Sequence, residues 1–278
     1  LAHTADAVLV EAHPSAPARI FARATSLDTI GAMLAPLLVA ATLWGGLDWR
    51  WLLVGLGLGA FVYAALLAST NFPAPANREQ AEASVWRTAR TNLRLVLSSR
   101  EAIAWLAFLL LHELFEAPLV LETIWLSEVV GLGQAQVGLY RALEMAIALA
   151  GLAWLDRWLV RATARRVLLI AIGALLVLYP SWVLVPGVWP RVALAVPLNF
   201  LGAAIWPVAK ARSLTSVTGR PGTVTAVSSL FGFVPMALGV SLLAEATSLT
   251  TAMLVVPVVA LALMALLAWA MPRVVRPP

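Results

Sequence analysis

Apolar residues run in long, nearly uninterrupted blocks along this chain, and the polar stretches between them are short and rich in arginine. Eight blocks are read at about 28–46, 51–70, 102–127, 135–155, 167–185, 191–209, 222–244 and 250–271. Each approaches the roughly 20 residues that a helix needs to cross about 30 Å of hydrocarbon. Backbone polar groups in lipid must be satisfied within the element, and a helix does this. The blocks are also longer and more continuous than the alternating strands, about 10 residues each, of a membrane barrel. The pattern predicts an all-α, polytopic membrane helix bundle of about eight spans. Ala5–Val10 is apolar but too short to cross, and reads as the tail of a truncated span.

The segments between blocks set an orientation. Arg19 and Arg23, Arg78 to Arg100, Arg157 to Arg166, Lys210 to Arg220, and Arg273 with Arg276 occupy every second segment. The intervening segments hold only Arg50 and Arg191, and Arg141 lies inside a block. Basic residues are retained on the cytoplasmic side, so both ends of this segment are expected in the cytoplasm, with a bacterial inner membrane as the setting. Trp49, Trp51, Trp125, Trp182 and Trp189 fall near the predicted outer boundaries, and Trp105, Trp158 and Trp269 near the inner ones. Aromatic rings of this kind favour the headgroup level.

The longest connection, 71–101, begins with the helix-breaking run Asn71-Phe72-Pro73-Ala74-Pro75. It continues with Arg87, Arg90 and Arg94 opposite Val85, Leu93 and Val96. This predicts a basic amphipathic helix on the inner membrane surface, attracted to anionic lipid.

Composition narrows the function classes. The chain is 62% hydrophobic and 12% charged, with mean hydropathy +0.90, against about 45–50% and about 25% in soluble domains. Lipid is therefore its solvent. The net charge of +5 would raise nucleic-acid binding in a soluble protein, but here the arginines mark topology and no nucleic-acid partner is expected. The absence of cysteine removes disulfides and thiolate metal sites. His3, His13 and His112 are the histidines, and His112-Glu113 lacks the second histidine of a zinc-protease motif. There is no phosphate-binding loop of the Walker type, so neither a catalytic site nor a cofactor or metal is expected.

Ionisable groups inside hydrocarbon cost about 2.5–3.5 kcal/mol each on insertion scales and so point to function. The third block carries His112, Glu113 and Glu116 near its midpoint. At about 100° per residue they fit one arc, expected to face inward, and Pro118 is expected to kink the helix. Glu122 lies nearer the outer end, at a depth matching Arg141 in the next block, so these two are expected to form a structural ion pair. Glu144, three residues beyond Arg141, would then share with Glu113 and Glu116 only His112 as a basic neighbour. Three readings fit these carboxyls: fixed hydrogen bonds between helices, a proton gained and lost as access alternates, or contact with a cationic substrate. Asn199, with Trp206 one i+7 step along the same face, is a further polar point in mid-span. Thr223, Thr225, Ser228 and Ser229, beside Gly232, Pro235 and Gly239, suit close helix packing, and Lys210 and Arg212 close a loop.

The layout resembles the C-terminal two-thirds of a major facilitator superfamily transporter. Ala5-Asp6-Ala7 to Pro14, with Arg19 and Arg23, resembles the end of helix four and its cytoplasmic loop. Asp28-Thr29-Ile30-Gly31 to Ala35-Pro36-Leu37-Leu38 resembles the Gly-Pro signature of helix five, and Asp48-Trp49-Arg50-Trp51 the entry to helix six. Gly151, Asp156, Arg157, Arg161, Arg165 and Arg166 resemble the loop between helices eight and nine that helps latch the cytoplasmic gate. The resemblance implies that 1–70 is the remainder of the N-terminal bundle, 71–101 the linker and 102–278 the C-terminal six-helix bundle. It implies a gate role for Asp156 and Arg157, and a substrate- or proton-pathway role for His112, Glu113, Glu116, Glu144 and Asn199. The expectation is a secondary active transporter of small solutes, with proton-coupled efflux as its mode and a monomer when full length. A lipid-modifying membrane enzyme and a non-transporting scaffold are the alternatives.

Overall fold

The computed structural model describes residues 17–46, 48, 50–69, 85–217, 221–229 and 236–271. They form α1 (Pro17–Trp44), α2 (Arg50–Ser69), α3 (Val85–Ser98), α4 (Arg100–Glu116), α5 (Leu119–Glu128), α6 (Gln134–Arg161), α7 (Ala164–Leu184), α8 (Val188–Gly202), α9 (Ile205–Thr215), α10 (Pro221–Ser229), α11 (Met236–Ala246) and α12 (Leu249–Ala270). No described residue is in a strand. Seven stretches are long and apolar enough to cross a membrane: Pro17–Thr42, Arg50–Ser69, Arg100–Glu128, Gln134–Arg161, Ala164–Leu184, Val188–Thr215 and Leu249–Ala270. The chain is an integral, multi-pass, all-α membrane protein.

The eighth expected span, 222–244, coincides with α10 and α11, and residues 230–235 between them lie outside the described set, with Gly232 and Pro235. Outside it too are Ala5–Val10, Asp6, Pro14, His3, His13, Trp49, Asn71 to Pro75, Arg78, Arg220, Arg273 and Arg276, and the side chains of Val85, Arg87 and Ser229.

Two of the spans are broken, each for a local reason. Pro118 has no N–H to give the carbonyl of Leu114, so α4 stops at Glu116 and α5 restarts at Leu119. The Ala117 N–H still reaches Glu113 O at 2.9 Å, and the Leu121 N–H reaches Pro118 O at 2.8 Å, a tight turn that carries the chain across the kink. Pro207 likewise leaves the Ala203 carbonyl without its i+4 donor, and α8 gives way to α9 around Ala203 and Ala204. Starts are set by caps: Ser99, Thr163 and Ser248 accept from the N–H groups of Ala102, Arg166 and Thr251 at 3.2, 3.3 and 3.1 Å. Gly187 (φ 83°) makes the left-handed turn that starts α8.

In lipid, packing and polar contacts hold helices together. α1 lies along α6 and also packs on α9; α12 packs on α4 and α7, and α8 on α6 and α7. The closest approaches use glycine. Gly151 of α6 sits directly on the Phe200 backbone of α8, and Gly138 faces Pro36 O and Ala40 of α1. The main core is built from Trp105, Phe108, Trp125, Leu155, Leu168, Ile172, Leu175, Trp182, Met253 and Met264. A second cluster joins Phe21, Val96, Leu106, Leu214 and Val224 at the end where α1 and α4 begin. The expected amphipathic helix is α3: Val96 is fully buried in that cluster while Arg90 and Arg94 are exposed. By contrast, α2 buries none of its residues.

Candidate functional site

The polar core of the bundle lies where α5, α6 and α8 meet. Glu122 comes from α5, just past the kink, and Arg141 and Glu144 stand three residues apart on α6, one turn along the same face. Arg141 Nη1 donates to Glu122 Oε2 in a short contact and to Glu144 Oε2 at 2.9 Å. Asn199 Nδ2 reaches Glu144 Oε1 at 3.5 Å and Ala195 O at 3.0 Å. Both carboxyls are buried, with Glu122 at 1% and Glu144 at 3% exposure. Glu144 therefore does not stand with His112 as its basic neighbour: one guanidinium serves two carboxyls, because the α6 register that aims Arg141 at Glu122 also aims Glu144.

The expected inward arc of α4 is divided. His112 is buried at 2% exposure, but Glu113 and Glu116 are exposed. His112 Nε2 lies 3.7 Å from Glu116 Oε1, and its Nδ1 is buried without a hydrogen-bond partner. The core-facing stripe is Trp105, Phe108, Leu109 and His112, which turns Glu113 away. Asn199 and Trp206 also part company. The break between α8 and α9 ends the i+7 relation, and Trp206 packs on Phe21 of α1 at 6.3 Å between ring centroids.

An aromatic layer covers the ionic cluster. The Trp125 and Trp182 rings meet at a 45° tilt with centroids 5.2 Å apart, and Trp182 Nε1 donates to the Tyr140 hydroxyl at 2.7 Å. Tyr179 packs on Trp182 and Phe115, each at 5.7 Å. Trp125 and Trp182 are thus core residues at 0% and 2% exposure, unlike Trp51, Trp189 and Trp269, which are exposed. Arg191, read from sequence as an outer-segment charge, is buried at 7%. It donates to Trp182 O, Val183 O, Val185 O and Gly187 O at 2.7–3.4 Å and lies 4.7 Å over the Trp125 ring. It closes the C-terminal end of α7, where unpaired carbonyls carry negative potential. A cavity of about 290 Å³ opens beside it, lined by Trp125, Val130, Val183, Pro186 and Thr250. Its polar groups are engaged, since Trp125 Nε1 donates to Thr250 Oγ1 at 3.2 Å.

At the opposite end a latch joins α1 to α6. Asp156 accepts from Arg19 Nε at 2.6 Å, Arg19 Nη2 at 3.2 Å and Arg23 Nη2 at 3.3 Å. Arg157 is exposed and makes no ion pair with a described residue. Arg165 performs at α12 what Arg191 performs at α7, donating to Ala268 O at 2.9 Å and, in a short contact, to Trp269 O. Lys210, assigned to a loop from sequence, is buried within α9 at 5% exposure and donates to Ser228 Oγ at 3.5 Å. Thr223 and Thr225 are also buried. Among the described residues no group of acidic or histidine side chains could hold a metal ion.

The sequence carried a signal for Glu122 and Arg141, their matching depth. It carried none for Arg191 or Lys210, whose burial depends on where the neighbouring helices end. No protein-family model matches the chain, and no curated protein matches it.

Proposed function

We propose that the protein is a secondary active transporter of small solutes, built in the manner of the major facilitator superfamily and working by proton-coupled efflux. One observation carries the reading: buried, incompletely neutralised charge in the middle of a bundle that is latched at one end by exchangeable ion pairs. Ionisable residues at membrane depth are costly and are kept where something charged must pass or bind. A latch of partly exposed pairs, Arg19 and Arg23 on Asp156, makes and breaks at little cost. A transporter that alternates access between two faces needs such a closure. Discontinuous helices beside the polar cluster, here α4/α5 and α8/α9, also belong to transporter binding sites. The compact loops support a bacterial inner membrane, and the arginine distribution puts the latched end on its cytoplasmic side.

The test is flux. The full-length gene product is reconstituted in vesicles containing a trapped pH-sensitive dye, and small solutes are added one at a time across an imposed pH gradient. Solute-dependent dissipation of the gradient is expected. Covalently altered lipid without dissipation would replace the transport reading with an enzymatic one.

A further inference from the structure

The charges around Arg141 do not balance. One guanidinium faces two carboxyls that are almost wholly removed from solvent. Arg141 Nη1 lies 2.9 Å from Glu144 Oε2 and closer still to Glu122 Oε2, so a single guanidinium nitrogen brings the two carboxyls together. Two ionised carboxylates have only acceptors to offer one another. Like charges at that range in a low dielectric do not both ionise. Arg141 meets both through the same nitrogen, Nη1, so its fork is not spent as two separate bidentate pairs.

Two further groups are unfinished. Glu122 Oε1 is buried with no hydrogen-bond partner, and so is the hydroxyl of Tyr179. The surrounding elements add no second cation. α6 supplies Tyr140, engaged by Trp182, and α7 supplies Tyr179. α8 supplies Asn199 and Arg191, and the Arg191 donors are occupied by carbonyls. α12 has no ionisable residue. On α4, His112 is paired toward Glu116, and the α1 arginines sit at the Asp156 latch. Among the described residues, Arg141 is the one cation in an ion pair with either carboxyl.

We propose that Glu122 and Glu144 share a single exchangeable proton above Arg141, and that this dyad is the proton-coupling site of the transporter. Its coupling role rests on the transport reading; the proton itself does not. When the proton is present, the cluster is neutral and closed. When it leaves, a net negative charge remains in the core, and relief requires water or a cationic group to enter.

The experiment is infrared spectroscopy of the full-length protein in lipid at neutral pH. The expected spectrum contains the carbonyl stretch of a dehydrated carboxylic acid, shifting on deuteration. Glu122→Gln and Glu144→Gln each leave one carboxylate on one guanidinium, so each should lose that band, while the Glu113→Gln/Glu116→Gln double variant should keep it. A wild-type spectrum without the band, or a band unchanged in both single variants, overturns the dyad; the wild-type arm needs no variant to fold. If the band is present but no added solute dissipates a pH gradient, the transport reading fails and the dyad stands. Undiminished pH-driven flux in Glu122→Gln, with its band lost, overturns the coupling role.

Discussion

Replacing Gly151 by alanine tests whether α6 and α8 are held at the distance of a missing side chain. A Cβ at position 151 would overlap the Phe200 carbonyl oxygen and lie 2.9 Å from its carbonyl carbon and 3.0 Å from its Cα. All three atoms are backbone, so no rotamer change relieves the clash and the helices must part by about 1 Å, which forfeits a quarter to a half of each dispersion contact across the seam. Overpacking of this kind costs about 1–3 kcal/mol. Alanine also gains helix propensity over glycine, by about 1 kcal/mol, and this would mask part of the loss. Gly173→Ala supplies the correction: Gly173 is exposed in mid-α7 and nothing lies within 4 Å of its Cβ position. Both variants share the propensity gain, so their difference isolates the contact. In denaturant titrations of protein in mixed micelles, followed by tryptophan fluorescence, Gly151→Ala should be less stable than Gly173→Ala by about 1–3 kcal/mol. The parting should also stretch the Asn199 to Glu144 bond, already 3.5 Å long. Equal stability of the two variants would refute the close crossing and the packing of the cluster that depends on it.

Three further outcomes follow from other contacts. Asp156→Asn should free the start of α1 and raise tryptic cleavage after Arg23 in detergent; the Arg19→Asp/Asp156→Arg swap, which keeps Arg23, should lower it again, and unchanged cleavage at that site would remove the latch. Arg191→Met leaves several α7 carbonyls unpaired near Trp125, and should destabilise by about 1–3 kcal/mol with a shift in tryptophan emission; an unaltered spectrum and stability would count against the cap. Ser99→Ala removes the α4 N-cap and should cost about 0.5–2 kcal/mol, read as faster amide exchange at residues 101–103, with unchanged exchange as the contrary result.

The spans were legible because lipid imposes one rule on every residue in them, and a run of twenty apolar positions needs no tertiary knowledge. The pairing of Glu122 with Arg141 was legible for a related reason: depth along a rigid rod follows from residue counting. Rotation about the rod was less so. Glu113 and His112 are adjacent, and which of them faces the core depends on the neighbours that α4 meets. The second bond from Arg141 to Glu144 depends on how close α5 comes to α6. Boundary tryptophans showed the same limit, since Trp125 and Trp182 lie near helix ends, as headgroup anchors do, yet pack against each other in the core. Pro118 advertised its kink, whereas Pro207 acts four residues upstream and separates Asn199 from Trp206.

The paired interruptions at 117–118 and 203–204 have a mechanical consequence. A continuous helix resists flexing because each bend stretches a ladder of main-chain bonds. At these joints one rung is already missing by covalent necessity, so a change of angle there meets less resistance than in an unbroken helix. On one side of the joints α4 and α9 pack on one another, while on the other side α5 and α8 carry Glu122 and Asn199. Each of these two spans can thus flex at its own joint while the half that holds the charged centre keeps its geometry, braced by the unbroken helices beside it.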